Sequence, residues 1–184
     1  MFGKISIIGC GLIGSSILRA MEEKKLAKEI SVHDKSKQVM EYLKKNFKTD
    51  ICSNASDAIK DADLTIISTP LSSYKEILLS IKPNLKEGSI LTDTGSAKKE
   101  VNKIVNNLGI KNINWIASHP IAGTEHSGPA AGFSSLFKNR WCILSADDQV
   151  AKDKIEHLEK FWIKLGSKVK VMSFEDHDYV LSLT

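Results

Sequence analysis

Short apolar runs recur along the chain at 4–9, 29–34, 64–68, 89–93, 114–118, 141–145 and 168–172. Each is near-continuously apolar at its centre, the pattern of strands buried on both faces of a parallel sheet. Between them, 12–25, 37–46, 72–81, 98–108 and 151–165 carry helical periodicity. In the last of these Ile155, Leu158, Phe161, Trp162 and Leu165 recur at three and four residues and form one apolar face. Strands alternating with helices at this spacing predict an α/β fold with a doubly wound, mostly parallel sheet.

The C-terminal end follows a different plan. Ser173 stands three residues before Asp176, as in a capping box, so a helix is expected to start there. The two turns that fit before Thr184 make a marginal helix by themselves. The chain therefore divides into a nucleotide-binding domain over 1–172 and, over 173–184, the first turns of a second, helical domain cut short. Phe174, Tyr179, Val180, Leu181 and Leu183 are expected to form an exposed apolar patch on that stub.

The turn after the first strand carries chemistry. Gly9-Cys10-Gly11-Leu12-Ile13-Gly14 is a G-x-G-x-x-G between a strand and a helix, the context of a Rossmann-like dinucleotide site. Gly9 serves the tight turn, Gly11 the approach of a pyrophosphate, and Gly14 the packing of helix on strand. Leu12 and Ile13 open the helix, whose free amides face the phosphates. Asp34 follows about 20 residues later at the end of the second strand, placed to accept the adenosine ribose hydroxyls and repel a 2′-phosphate. NAD is the expected cofactor; Lys35 and Ser36 beside Asp34 keep NADP open. Ser68-Thr69-Pro70 and Asp93-Thr94 end strands at the same edge, where ligands of open α/β sheets bind. Thr69-Pro70 also reads as a helix-entry turn. Ser96 either caps the next helix or points into the site.

His119 likewise ends a strand at that edge, and a histidine there is a candidate acid–base group. Pro120 fixes the exit from the strand and Gly123 permits a turn that brings Thr124 and Glu125 to the cleft. His126 is expected in solvent; His33, His157 and His177 read as structural. The net charge of +4 is modest, and Arg19 and Arg140 are the only arginines. Scattered lysines of this kind suit solvated helix faces and argue against nucleic-acid binding. No apolar run approaches the roughly 20 residues of a membrane helix. Cys10, Cys52 and Cys142 form no pairing or metal pattern, which suits a reducing cytoplasm, and no metal site is expected.

The glycine motif, Asp93-Thr94-Gly95-Ser96-Ala97-Lys98 and His119-Pro120-Ile121-Ala122-Gly123-Thr124-Glu125, in this order and spacing, resemble the prephenate dehydrogenase family, arogenate and cyclohexadienyl dehydrogenases included. The likeness runs through the whole chain; the His119 block is its most specific part. The resemblance implies oxidative decarboxylation of prephenate to 4-hydroxyphenylpyruvate, or of arogenate to tyrosine, with NAD or NADP. It implies His119 as the group receiving the ring hydroxyl's proton, Ser96 as the residue orienting it, Thr124 at the substrate and Glu125 as a gate. It implies too a helical domain carrying dimer contacts and a substrate-binding arginine, so that the full-length form is a homodimer. Two other readings stand beside it: a β-hydroxyacid dehydrogenase or imine reductase-like oxidoreductase, and a non-catalytic NAD-binding module.

Overall fold

The computed structural model describes residues 2–182. In chain order the elements are β1 (Phe2–Ile8), α1 (Leu12–Lys24), β2 (Ala27–His33), α2 (Lys37–Asn46), β3 (Asp50–Ile51), α3 (Ala55–Ala58), β4 (Leu64–Ile67) and α4 (Tyr74–Ile81), followed by β5 (Ile90–Asp93), α5 (Lys98–Asn107), β6 (Asn114–Pro120), β7 (Trp141–Ala146), α6 (Lys152–Leu165), β8 (Lys168–Val171) and α7 (Phe174–Ser182). The strands form one sheet in the order β3-β2-β1-β4-β5-β6-β7-β8. The first six are mutually parallel, as the apolar runs predict. The two-residue β3 and the single turn of α3 are too short to leave a periodic signature.

The sheet departs from the expected direction at β7, which pairs antiparallel to β6, with Pro120 opposite Cys142. A parallel return needs a crossover, usually a helix. Between β6 and β7 there is only one 3₁₀ turn, Pro129–Ala131, so β7 starts at the edge where β6 ended. That connecting loop is pinned across α1. Gly132 lies so close to Ser15 that a Cβ would overlap its hydroxyl; Phe133 N–H donates to Ser16 Oγ at 3.1 Å and Arg19 donates to the Pro129 carbonyl at 3.2 Å. β8 then runs parallel to β7 at the sheet's edge and is largely exposed, unlike the buried strand its pattern suggested.

Residues of one strand alternate between two cores. Ile5 and Ile7 of β1, with Ile116 of β6, meet Ile17, Leu18 and Met21 of α1 and Phe161 and Trp162 of α6. Ile8, Trp115 and Ala117 turn to the other face, against Tyr74 and Leu78 of α4, Val101 and Val105 of α5 and Phe174 of α7. Phe174 is thus buried and takes no part in the expected apolar patch, whereas Tyr179 and Val180 are exposed. Leu183 and Thr184 lie outside the described residues. Ser173 caps α7 as expected, its hydroxyl accepting Asp176 N–H at 3.0 Å.

Candidate active site

The chain winds outward from β1 through β2 to β3, then returns to the other side of β1 as β4. This reversal opens a crevice beyond the strand ends, where open α/β sheets place their ligands. A cleft of about 450 Å³ lies there, walled by Gly9, Gly11, Asp34, Lys35, Ser68, Thr69 and Pro70, with Ile8 and Ile77 among its apolar lining. His33, read from the sequence as structural, also borders it, as do Asn54, Ser56 and Glu76, none of which the sequence singles out. Gly9 has φ +92°, and a Cβ on it would come within 2.6 Å of the Ser68 carbonyl oxygen. Gly14 presses on the Gly9 carbonyl oxygen, whereas Gly11 has open space above it. The first amide bonded within α1 is Ser15 N–H, to Gly11 O. Among the described residues the amides of Leu12, Ile13 and Gly14 find no acceptor, so three donors and the positive end of the helix point outward.

Asp34 is held rigidly, accepting Cys10 N–H and Ser36 N–H at 2.8 Å each. Four strand spacings separate β2 from β6, roughly 19 Å across the edge of the sheet, room for an extended dinucleotide from Asp34 toward His119. The Thr69 hydroxyl is buried and, among the described residues, has no hydrogen-bond partner. These features fit a dinucleotide: free amides and an open glycine for phosphates, a fixed carboxylate for ribose, and an orphan hydroxyl.

Several expected cofactor contacts turn inward instead. Ser36 caps α2, accepting Val39 N–H, and is absent from the cleft wall. Thr94 donates to Ser68 Oγ at 3.0 Å. Asp93 is fully buried: Lys98 Nζ approaches both its oxygens at 2.7 Å, and it also accepts from Tyr74 OH, Gly95 N–H and Ser118 N–H. Its side chain is therefore closed to a cofactor. Lys98 reaches on to the Ser118 carbonyl at 2.6 Å, and both charges are enclosed. Burial pulls the ammonium's pKa down against the opposing pull of Asp93. The pair fastens the ends of β5 and β6 together immediately below the histidine.

A second hollow, about 530 Å³, lies over β6 and is walled by Ser96, Ala97, His119 and Ile121 on one side and Asp178, Leu181 and Ser182 of α7 on the other. Ser96 borders it without a hydrogen bond to His119, and it does not cap α5. His119 Nδ1 stands 2.9 Å from Nε2 of His177, a fully buried ring whose Nδ1 lies 2.7 Å from Asp178 Oδ1. His177 is thus no isolated structural residue. Thr124 and Glu125 do not join the hollow. Thr124 closes a small turn with His126, and Glu125 is 88% exposed. His126 is exposed as expected.

Burial first, then the electrostatics of neighbouring Lys98 and His177, push the pKa of His119 down to about 4, with Asp178 opposing. The ring is therefore neutral at physiological pH. An NMR titration should place its midpoint near 4; a midpoint near 6.5 would mean the ring is effectively solvated. The unfolded ring titrates at about 6.5, so between these values the unfolded state holds the extra proton. His119 then contributes stability that is complete above pH 6.5 and lost as pH falls toward 4. After discounting for solvent this is on the order of 2 kcal/mol.

With this geometry in view, comparison with known proteins gives a clear result. Residues 17–171 match the model of the prephenate dehydrogenase nucleotide-binding domain. The chain belongs to this family. It is 36% identical to a cyclohexadienyl dehydrogenase of Zymomonas mobilis over its entire length, and 34% identical to a prephenate dehydrogenase of Lactococcus lactis over 90% of it. It spans 63% of the first relative and 47% of the second. A prephenate dehydrogenase crystal structure from Aquifex aeolicus, in complex with hydroxyphenyl propionate and NAD+, superposes with TM-score 0.86 at 26% identity. That likeness covers 98% of this chain and 63% of the crystal chain. Among the described residues no helix is long and apolar enough to cross a membrane.

Proposed function

We propose that this chain is the cofactor half of an NAD-dependent dehydrogenase that converts prephenate to 4-hydroxyphenylpyruvate, or arogenate to tyrosine. The observation that carries the reading is a neutral histidine at the end of β6, walling a hollow beside the dinucleotide cleft in a chain of this family. In the cleft the Leu12, Ile13 and Gly14 amides would hold the pyrophosphate, Asp34 the ribose, and Thr69 a further polar atom. The nicotinamide, when bound, supplies the hydride acceptor.

The remaining chemistry falls to His119. As hydride leaves the hydroxyl-bearing ring carbon, the hydroxyl proton becomes acidic and passes to the unprotonated nitrogen of His119. The bond from the quaternary ring carbon to its carboxylate then breaks. Its electron pair enters the ring, CO₂ departs, and the phenolate oxygen recovers the proton from the imidazolium. Neutral His119 can take the proton and, once charged, return it. Ser96, on the same wall, is placed to hold the hydroxyl oxygen against the ring. The division into a nucleotide-binding unit over 1–172 and a helical unit from 173 onward is supported by the start of a helix capped by Ser173 and by the exposure of Tyr179 and Val180 on it. We place dimerisation in that helical unit and the enzyme in the cytoplasm, in keeping with its free cysteines.

Cofactor choice tests the first half of this reading. NAD should bind this chain at least about tenfold more tightly than NADP, a difference of only ~1.4 kcal/mol. The fixed Asp34 carboxylate repels a 2′-phosphate and loses its ribose hydrogen bonds to it. Fluorescence titration with both cofactors measures the ratio. Equal affinities would mean that Lys35, exposed on the cleft wall, dominates.

A further inference from the structure

We propose that Asp178 and His177 form a positioning pair that locks His119 in the tautomer whose Nε2 lone pair is open to the substrate. The inference rests on the reading of His119 as the proton acceptor and supplies what that reading lacks, a reason for the ring to present an acceptor rather than a donor.

With both rings neutral, the chain of hydrogen bonds has only one direction. The Asp178 carboxylate is fixed from outside the relay: it accepts Lys98 N–H and Lys99 N–H, each at 3.1 Å, and so caps α5 from another element. No residue of α5's own N-terminus does this. A carboxylate only accepts, so the 2.7 Å contact requires a proton on His177 Nδ1. Neutral His177 then has a lone pair on Nε2, and the 2.9 Å contact requires His119 Nδ1 to donate. The proton of neutral His119 is thereby committed to Nδ1, and Nε2 is left bare. Among the described residues Nε2 has no hydrogen-bond partner, and its ring walls the hollow that Ser96 also borders. The groups facing His119 are His177 and Asp178 from α7 and Lys98 from α5. None of these competes for Nε2. The two residues reach the site only because Phe174 and the capped α5 dock α7 against the sheet.

The structural test needs only this chain, with nitrogen-labelled histidines at neutral pH. Long-range ¹H–¹⁵N correlation should show His119 protonated on Nδ1 with a pyridine-like Nε2. In His177→Leu the acceptor is gone, and His119 should shift toward the Nε2–H form that free imidazoles favour. His177→Gln offers an amide oxygen at nearly the same place and should restore the Nδ1–H form. In an enzyme that carries the helical region, kcat should fall roughly tenfold in His177→Leu, in proportion to the competent fraction. It should recover in His177→Gln, with the KM for NAD unmoved in both. A proton on Nε2 of His119 in the parent chain would overturn the proposal, as would a tautomer indifferent to His177→Leu. These outcomes are independent of whether His119 is the base, which the His119 variant decides separately.

Discussion

His119→Asn should lower kcat by about 10²–10⁴-fold, the usual cost of losing a general base, in an enzyme that carries the helical region. NAD affinity should stay nearly unchanged. Asparagine can still hydrogen-bond to a hydroxyl, but it cannot hold the proton that the departing hydride makes acidic. The dinucleotide cleft is walled by residues of the β1, β2 and β4 ends, and His119 is not among them. Stopped-flow kinetics with a parallel NAD titration would separate the two effects. Wild-type turnover in the variant would remove His119 from the mechanism, and a matching loss of NAD affinity would make its role structural. Ser96→Ala should cost less, because in the proposed reading Ser96 would position the oxygen and take no proton.

The second large effect lies beneath the site. Lys98→Met should destabilise the fold by about 3–5 kcal/mol, because it leaves the Asp93 carboxylate buried without its cation. Three neutral donors remain around Asp93, from Tyr74, Gly95 and Ser118, which favours the lower end of that range. Lys60→Met, at an ion pair open to solvent, should leave the unfolding curve unmoved. Urea unfolding of both variants makes the comparison. If they behave alike, the enclosed pair does not hold the ends of β5 and β6. Lys98→Met should also raise the His119 midpoint from about 4, since the charge of Lys98 helps to hold it down. That link ties the stability of the sheet edge to the chemistry above it.

These two residues show where sequence reading works and where it stops. The glycine motif, Asp34 and His119 were legible because each depends on local order: a strand, a turn and the residue just past it. The six parallel strands were legible for the same reason, as unbroken apolar runs. The reversal of β7 was there to be read as well, since residues 121–140 lack the helical period that a crossover requires. Lys98 was not legible, because a lysine in the first turn of a helix ordinarily reads as solvated. Only the closing of β5 against β6 turns it inward to Asp93. His177 was hidden by distance: it meets His119 across 58 residues of chain, through a docking of α7 that no periodicity encodes. Thr124 and Glu125 show the opposite case. Nearness in sequence to His119 suggested the cleft, but the loop leaves it to fasten onto α1.

The most direct test of the whole account is a paired assay of the enzyme with its helical region, following NADH absorbance and released CO₂ together. Prephenate or arogenate should yield the two in equal amounts, and 3-hydroxy acids should yield neither. NADH formed from a 3-hydroxy acid, with no CO₂ from either cyclic substrate, would contradict it.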